Sequence, residues 1–154
     1  MRLEYFQMID QVVELDRSGA RLVARAQVPA RSPVFEGHFP GYPILPGVLL
    51  IETMAQASGF LLLALNDFSR LPLLASVMEA KLRRPVAPPA DLTVEAWVVH
   101  DGSGFSVMEG QVSREGAAVC GATMKLRDVP FPSDAVRQHL RTNAEEAGLL
   151  ALEG

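Results

Sequence analysis

The chain is poor in the residues that staple small domains or hold metals. It has a single cysteine, Cys120, in 154 residues. That excludes an intrachain disulfide and any zinc cage built from thiolates, and it suits a reducing compartment. Histidines number three. Of these, His100 falls in a turn-like run and His139 in the tail, and neither stands at metal-ligand spacing from another ligand, so no metal is expected. Positive charge is in deficit. The formal net charge is −4, which makes the chain as a whole a poor partner for nucleic acid or an anionic membrane, while leaving a local basic patch open. No phosphate loop, dinucleotide fingerprint or GxSxG elbow is present, so no nucleotide cofactor is expected. The start, Met1-Arg2-Leu3-Glu4-Tyr5, lacks the basic-then-apolar form of a secretory signal, and a cytoplasmic location is the expectation. Internal repeats and low-complexity linkers are also missing.

Hydrophobic residues make up 49% and charged residues 21%, an ordinary globular balance. The length suits one domain with a real core. Residues 5 to 14 are apolar-rich and read as a strand or a short helix. Residues 21 to 28 alternate, with Leu22, Ala24, Ala26 and Val28 on one face, as in a half-buried strand. Residues 31 to 47 carry four prolines and three glycines, which defines a braced loop. From about Val48 to Asn66 the chain is apolar almost all round. Glu52, Thr53, Gln56 and Ser58 make this stretch costly as a membrane span, so it reads as a buried helix wrapped by the rest of the protein. Ala55, Ala57 and Gly59 would let other backbone approach it closely. The remainder alternates as strands over 72–84, 91–99, 105–113 and 117–127, with a turn at His100–Gly104. Trp97, Phe105 and Cys120 read as packing residues. One long helix followed by consecutive antiparallel strands is an α+β domain whose sheet curls round the helix. Pro130 and Pro132 end the last strand, and residues 134 to 147, with Ser133 as a cap, suit an exposed helix. The expected division is a domain over 1–128 and a tail over 129–154.

Three groups near the start of the buried helix could carry chemistry. His38 sits in the braced loop, and a histidine titrating near neutrality suits a general base. Glu52 lies in the first turns of the helix. Burial there would favour its neutral form, which suits proton donation. It shares a face with Gln56, four residues on. Gly47 precedes the helix, whose free N–H groups and positive dipole end can hold a developing oxyanion. Base, acid and oxyanion donor together fit proton abstraction beside a carbonyl. The plainer reading makes Glu52 a dipole partner, His38 a loop residue and Gly47 a turn residue.

The run GHFPGYPILPGVLLIETMAQASG, residues 37 to 59, closely resembles the signature of the bacterial 3-hydroxyacyl-[acyl-carrier-protein] dehydratases of the FabZ type. EAKLRRPVAP (79–88) and FQMIDQV (6–12) are similar to two further family segments. The resemblance implies a hotdog fold, in which a long central helix is wrapped by a curved antiparallel sheet. It implies His38 as catalytic histidine and Glu52 as catalytic carboxylate. Gly47, followed by Val48, would supply the N–H facing the thioester oxygen. It also implies a homodimer whose histidine and carboxylate meet across the interface, with a trimer of dimers as a further assembly left open. The implied reaction is dehydration of a (3R)-3-hydroxyacyl chain on acyl carrier protein to the trans-2-enoyl product in fatty acid synthesis, without a cofactor. Glu rather than Asp at position 52 argues against double-bond isomerisation.

Four features depart from the family. A Pro-His-Arg segment usual before the first strand is not seen, so the pocket is expected to close differently on that side. Pro89-Ala90 stand where Gly-Asp is common. Met78 holds a position that is often acidic. The tail extends beyond the usual end. Lys81, Arg83 and Arg84 form a basic stretch that suits docking of an acidic carrier, with Lys81 and Arg83 expected on one strand face. A hotdog thioesterase and a catalytically silent partner subunit are the rival readings.

Overall fold

The computed structural model describes residues 1 to 152. In chain order it holds β1 (Gln11–Asp16), β2 (Arg21–Val28), α1 (Pro33–Gly37), α2 (Gly47–Leu65), β3 (Leu71–Leu82), β4 (Ala90–Gly102), β5 (Phe105–Arg114), β6 (Ala117–Val129) and α3 (Asp134–Glu146), with single 3-10 turns at Leu3–Tyr5 and Leu150–Leu152. The strands form one curved antiparallel sheet in the order β1-β2-β4-β5-β6-β3. This is the α+β arrangement that the sequence pattern implies.

Small residues let the helix lie close to the sheet. Leu22, Ala96, Gly110 and Ala122 stand opposite one another across β2, β4, β5 and β6. A Cβ added to Gly110 would fall 2.8 Å from the Cβ of Met54, closer than carbon atoms pack. The trough therefore needs glycine at that point. On α2, Leu50, Met54, Ala57, Leu61 and Ala64 are buried against it, at the alternating three- and four-residue spacing of one helix face. The helix is not wrapped on every side as expected. Glu52, Gln56 and Phe60 are only half-buried, and Val48 is exposed.

The hairpins are tighter than expected. β4 continues to Gly102, so His100 and Asp101 belong to the strand and the turn is Ser103–Gly104, at φ 57° and 80°. Glu115–Gly116 repeats the arrangement at φ 50° and 78°. Two-residue loops with positive φ match the right-handed twist of the strands they join. Of the two readings of residues 5 to 14 the strand holds, from Gln11 onward, while the 3-10 turn at Leu3–Tyr5 reaches only the first of them. The braced loop contains the short helix α1.

Two regions differ more from expectation. β3 has no buried residue along its length, although Leu73, Leu74, Val77, Met78 and Leu82 lie on it. It is an edge strand, and α2 leaves most of its surface uncovered. The C-terminal segment forms the expected helix, and the Ser133 hydroxyl caps it by accepting from the Val136 N–H at 3.3 Å. It is not a free tail, however. Ala144, Ala147 and Leu149 are buried in the common core, and the Val12 N–H donates to the Ala147 carbonyl at 2.7 Å. The last two residues of the expected tail lie outside the described residues.

Candidate active site

His38 owes its position to local hydrogen bonding. Ser32 caps α1, with its hydroxyl 3.3 Å from the Val34 N–H, and Pro33 opens the helix. The helix ends as the His38 N–H donates to Val34 O at 3.1 Å. The chain then turns back, and the Ile44 N–H reaches His38 O at 3.0 Å. The imidazole Nδ1 lies 2.9 Å from Ile44 O. A carbonyl oxygen only accepts, so Nδ1 carries the proton and the Nε2 lone pair is left for other work. The ring is half-buried and stacks on Phe39 at 4.1 Å between centroids.

Gly47 is the first residue of α2, and Pro46 at the cap position makes no side-chain hydrogen bond to the helix start. The opening N–H groups of a helix lack acceptors within it. A Cβ on Gly47 would run into Leu82 Cδ1, so the end of β3 packs against this turn, and the exposed Leu82 side chain would have to swing aside to admit one. Val48 follows with its side chain toward solvent.

Glu52 lies one turn further on, and its neighbour holds it. Gln56 Nε2 donates to Glu52 Oε1 at 2.9 Å and to Phe6 O at 2.6 Å. Gln56 Oε1 accepts from the Met8 N–H at 2.9 Å. One amide thus fixes the carboxylate and ties the N-terminal segment to α2. The sequence placed Gln56 on the face of Glu52 but assigned it no role; the four-residue spacing was the available signal.

Beside Glu52 runs a groove of about 550 Å³, within the usual range for small-molecule sites. Its floor is Glu52, Ala55, Gln56, Gly59, Phe60 and Leu63, one continuous stripe of α2. The eleven residue-to-residue rises from Glu52 to Leu63 make that stripe about 16 Å long. Leu71–Leu74 of β3, the N-terminal residues and α3 complete its lining. His38 is not among the residues that line this groove.

The basic cluster is only partly as expected. β3 stops at Leu82, so Lys81 is in the strand and Arg83 lies just past it, although its N–H still bonds Val119 O at 2.9 Å. Lys81 Nζ is 2.9 Å from Glu79, which offsets its charge. Arg83 and Arg84 are exposed. Cys120 is buried, and burial pushes its thiol up to about 11, which agrees with a packing role.

The family model described as the FabA-like domain matches residues 2–123. The chain belongs to the FabA-like family. Within that family it is 40% identical to 3-hydroxyacyl-[acyl-carrier-protein] dehydratase FabZ of Symbiobacterium thermophilum, over 84% of this chain and 93% of that one. It is 38% identical to the FabZ of Vibrio cholerae, over 78% of this chain and 80% of the relative. This FabA-like chain is thus a FabZ-type member, as residues 37 to 59 suggest. Among solved structures, one from Streptococcus pneumoniae, described as a hypothetical thioesterase with coenzyme A, superposes with a TM-score of 0.63 at 17% identity, covering 80% of this chain and 88% of that one. A dehydratase heterocomplex from Xenorhabdus doucetiae gives a TM-score of 0.60 at 17% identity, covering 78% and 99%. At such identities the likeness is one of fold, and the fold is the hotdog fold.

Proposed function

We propose that the protein dehydrates (3R)-3-hydroxyacyl chains carried on acyl carrier protein to trans-2-enoyl chains, as a step of fatty acid synthesis. The observation that carries this reading is Glu52, a carboxylate held by Gln56 at one end of an acyl-sized groove in a chain 40% identical to a named dehydratase. The thioester carbonyl accepts a hydrogen bond from the Gly47 N–H, beside Val48. Polarisation makes the α-proton acidic, and His38 Nε2 removes it. The C–H electron pair becomes the new double bond. The C3–O bond breaks as Glu52, directly or through a water, delivers a proton to the departing hydroxyl. The net change is loss of water with no electron transfer, so the chain's own residues suffice and no cofactor takes part.

The site is shared between two copies. His38 is absent from the groove that holds Glu52, while β3, which walls that groove, exposes an apolar face and an unpaired edge. Unpaired edges of this kind recruit another chain. A second copy on β3 covers the apolar residues and brings its own loop to the groove, giving a homodimer that leaves room for a trimer of dimers. Residues 1–128 hold every group assigned to the chemistry, and the segment from 129 is an appended element. The carrier docks on Arg83 and Arg84, with Lys81 contributing less because of Glu79. Soluble carrier and substrate place the enzyme in the cytoplasm. More than half of α2, the one stretch among the described residues apolar enough to span a membrane, is buried in the core.

Two measurements test this reading. Incubation with a 3-hydroxyacyl carrier substrate is expected to give enoyl absorbance; release of free thiol would identify a thioesterase instead, and neither product a silent subunit. Mixing inactive His38→Ala and Glu52→Gln chains after subunit exchange is expected to restore activity, because a mixed dimer has one intact pair. No recovery in heterodimers verified by mass would place both residues in one subunit's site. For the docking surface, Arg83→Glu with Arg84→Glu should depress kcat/KM on the carrier-linked substrate, less so at high salt, and spare a short neutral thioester mimic. Equal losses on both substrates would remove the docking assignment.

A further inference from the structure

The groove beside Glu52 is lined by the C-terminal helix as well as by α2 and β3. His139, Leu140, Asn143 and Glu146 of α3 line it, with Ala147 just past the helix, and the spacing of one, three and three residues keeps the four on one face of that helix. The place of α3 along the groove is fixed by its contacts. The Arg141 guanidinium lies 5.3 Å from the ring centre of Phe68, which follows the C-terminal end of α2. The middle of α3 therefore stands near the Phe60–Leu63 end of the stripe, remote from Glu52. We infer that α3 is the end wall of the acyl groove, and that His139, Leu140 and Asn143 set the longest acyl chain the site accepts. This rests on the reading of the groove as an acyl site.

Position and chemistry both suit a stop. The wall is anchored, since Ala144 and Leu149 are fully buried and the Val12 N–H bonds Ala147 O. Swinging α3 aside would expose that core. The groove upstream is apolar at Ala55, Gly59, Phe60 and Leu63, whereas the α3 face is mostly polar. Asn143 Nδ2 and His139 Nε2 lie 3.3 Å apart, so they satisfy one another in part and still depend on water for the rest. A methyl end pressed on to them would strip that water without replacing its hydrogen bonds, which is unfavourable. Leu140 is the one large apolar side chain of the α3 face and closes the hydrocarbon path. The family model ends at residue 123, so α3 lies outside the part of the chain that the family match covers. Chain-length preference can thus differ from that of relatives while His38 and Glu52 stay the same.

The test is a length ladder. Carrier-linked 3-hydroxyacyl substrates from short to very long are assayed with the wild type, Leu140→Trp, His139→Trp and Leu140→Ala. His139 is exposed, so the tryptophan there leaves the core untouched if the Leu140 change proves disruptive. Binding of unreactive saturated acyl-pantetheine thioethers of the same lengths is followed by calorimetry in parallel. The tryptophan variants should lose about tenfold or more in kcat/KM on the longest chains accepted by the wild type, the scale on which pocket filling discriminates, and keep the shortest within about twofold. Leu140→Ala should extend the profile. An unchanged profile in folded His139→Trp, or an equal loss at every length, overturns the inference. Should the wild type bind the ladder with a cutoff that both tryptophans shorten, yet dehydrate none of it, the wall stands and the proposed reaction falls.

Discussion

β6 and β3 are hydrogen-bonded neighbours with similar apolar content and opposite surroundings. On β6, Cys120, Met124 and Leu126 are buried under α2. Their partners across the ladder on β3 are Leu82, Val77 and Leu74, and all three are exposed. The inner face of the sheet therefore continues past the helix. A helix with side chains is about 10–12 Å wide, and strands stand about 4.8 Å apart, so one helix covers only a few strands. The same alternating pattern makes a core where the helix lies over it and an exposed apolar face where it does not.

Val77→Asp sharpens that contrast most. It puts a charge on the uncovered face, and we expect monomers that keep their strand and helix content by circular dichroism and lose activity by about 10²–10⁴-fold, the scale of a missing acid–base partner. An active monomer would show that the site is complete in one chain. His38→Ala and Glu52→Gln should lose activity on the same scale while sedimenting as dimers.

The next effect compares two leucines directly opposite each other, Leu126 at 2% exposure and Leu74 at 42%. Leu126→Ala should cost about 2–5 kcal/mol at any protein concentration. Leu74→Ala should cost less at low concentration and more as the protein associates, since in the proposed dimer a second copy covers it. Denaturant melts at two concentrations distinguish the pair, and identical behaviour of the two variants would remove the contrast.

Gly110→Ala probes the covered side alone. The added methyl meets Met54, and about 1–3 kcal/mol of destabilisation is expected from overpacking, read as a lower denaturant midpoint with the dimer intact.

The smallest effect concerns Asp128, opposite Pro72 of β3. Burial, then the nearby Asp101 carboxylate, hold its carboxyl above the ordinary value, and Arg70 partly offsets them. The folded state thus binds the proton more tightly than the unfolded chain. Stability falls as pH rises from the ordinary carboxylate value through the raised one. Asp128→Asn should therefore raise Tm at neutral pH by about 2 °C, and the gain should vanish below about pH 3, where the carboxyl is protonated in both states. A gain that persists in acid would assign the effect to something other than ionisation.

Much of this molecule follows from local pattern. Alternation at Leu22, Ala24, Ala26 and Val28 marks a strand because side chains repeat every two residues, and the buried face agrees. Pro46-Gly47 before a long apolar run marks a helix start because proline presets φ and glycine admits close contact. His38, Gly47 and Glu52 lie within one short segment of chain, so the chemistry proposed for them could be read without a fold. Tertiary structure decided the rest. Which apolar strand is covered depends on the width of α2 and on strand order, neither of which is written in any one strand. Gln56 acquires its role only when Phe6 and Met8 arrive from a distant part of the chain to complete its hydrogen bonds. The C-terminal helix reads as an exposed element because most of its residues are polar, yet Ala144, Ala147 and Leu149 dock it against β1 beside the groove. Periodicity reports which face of an element is apolar; what comes to rest on that face is settled by long-range packing.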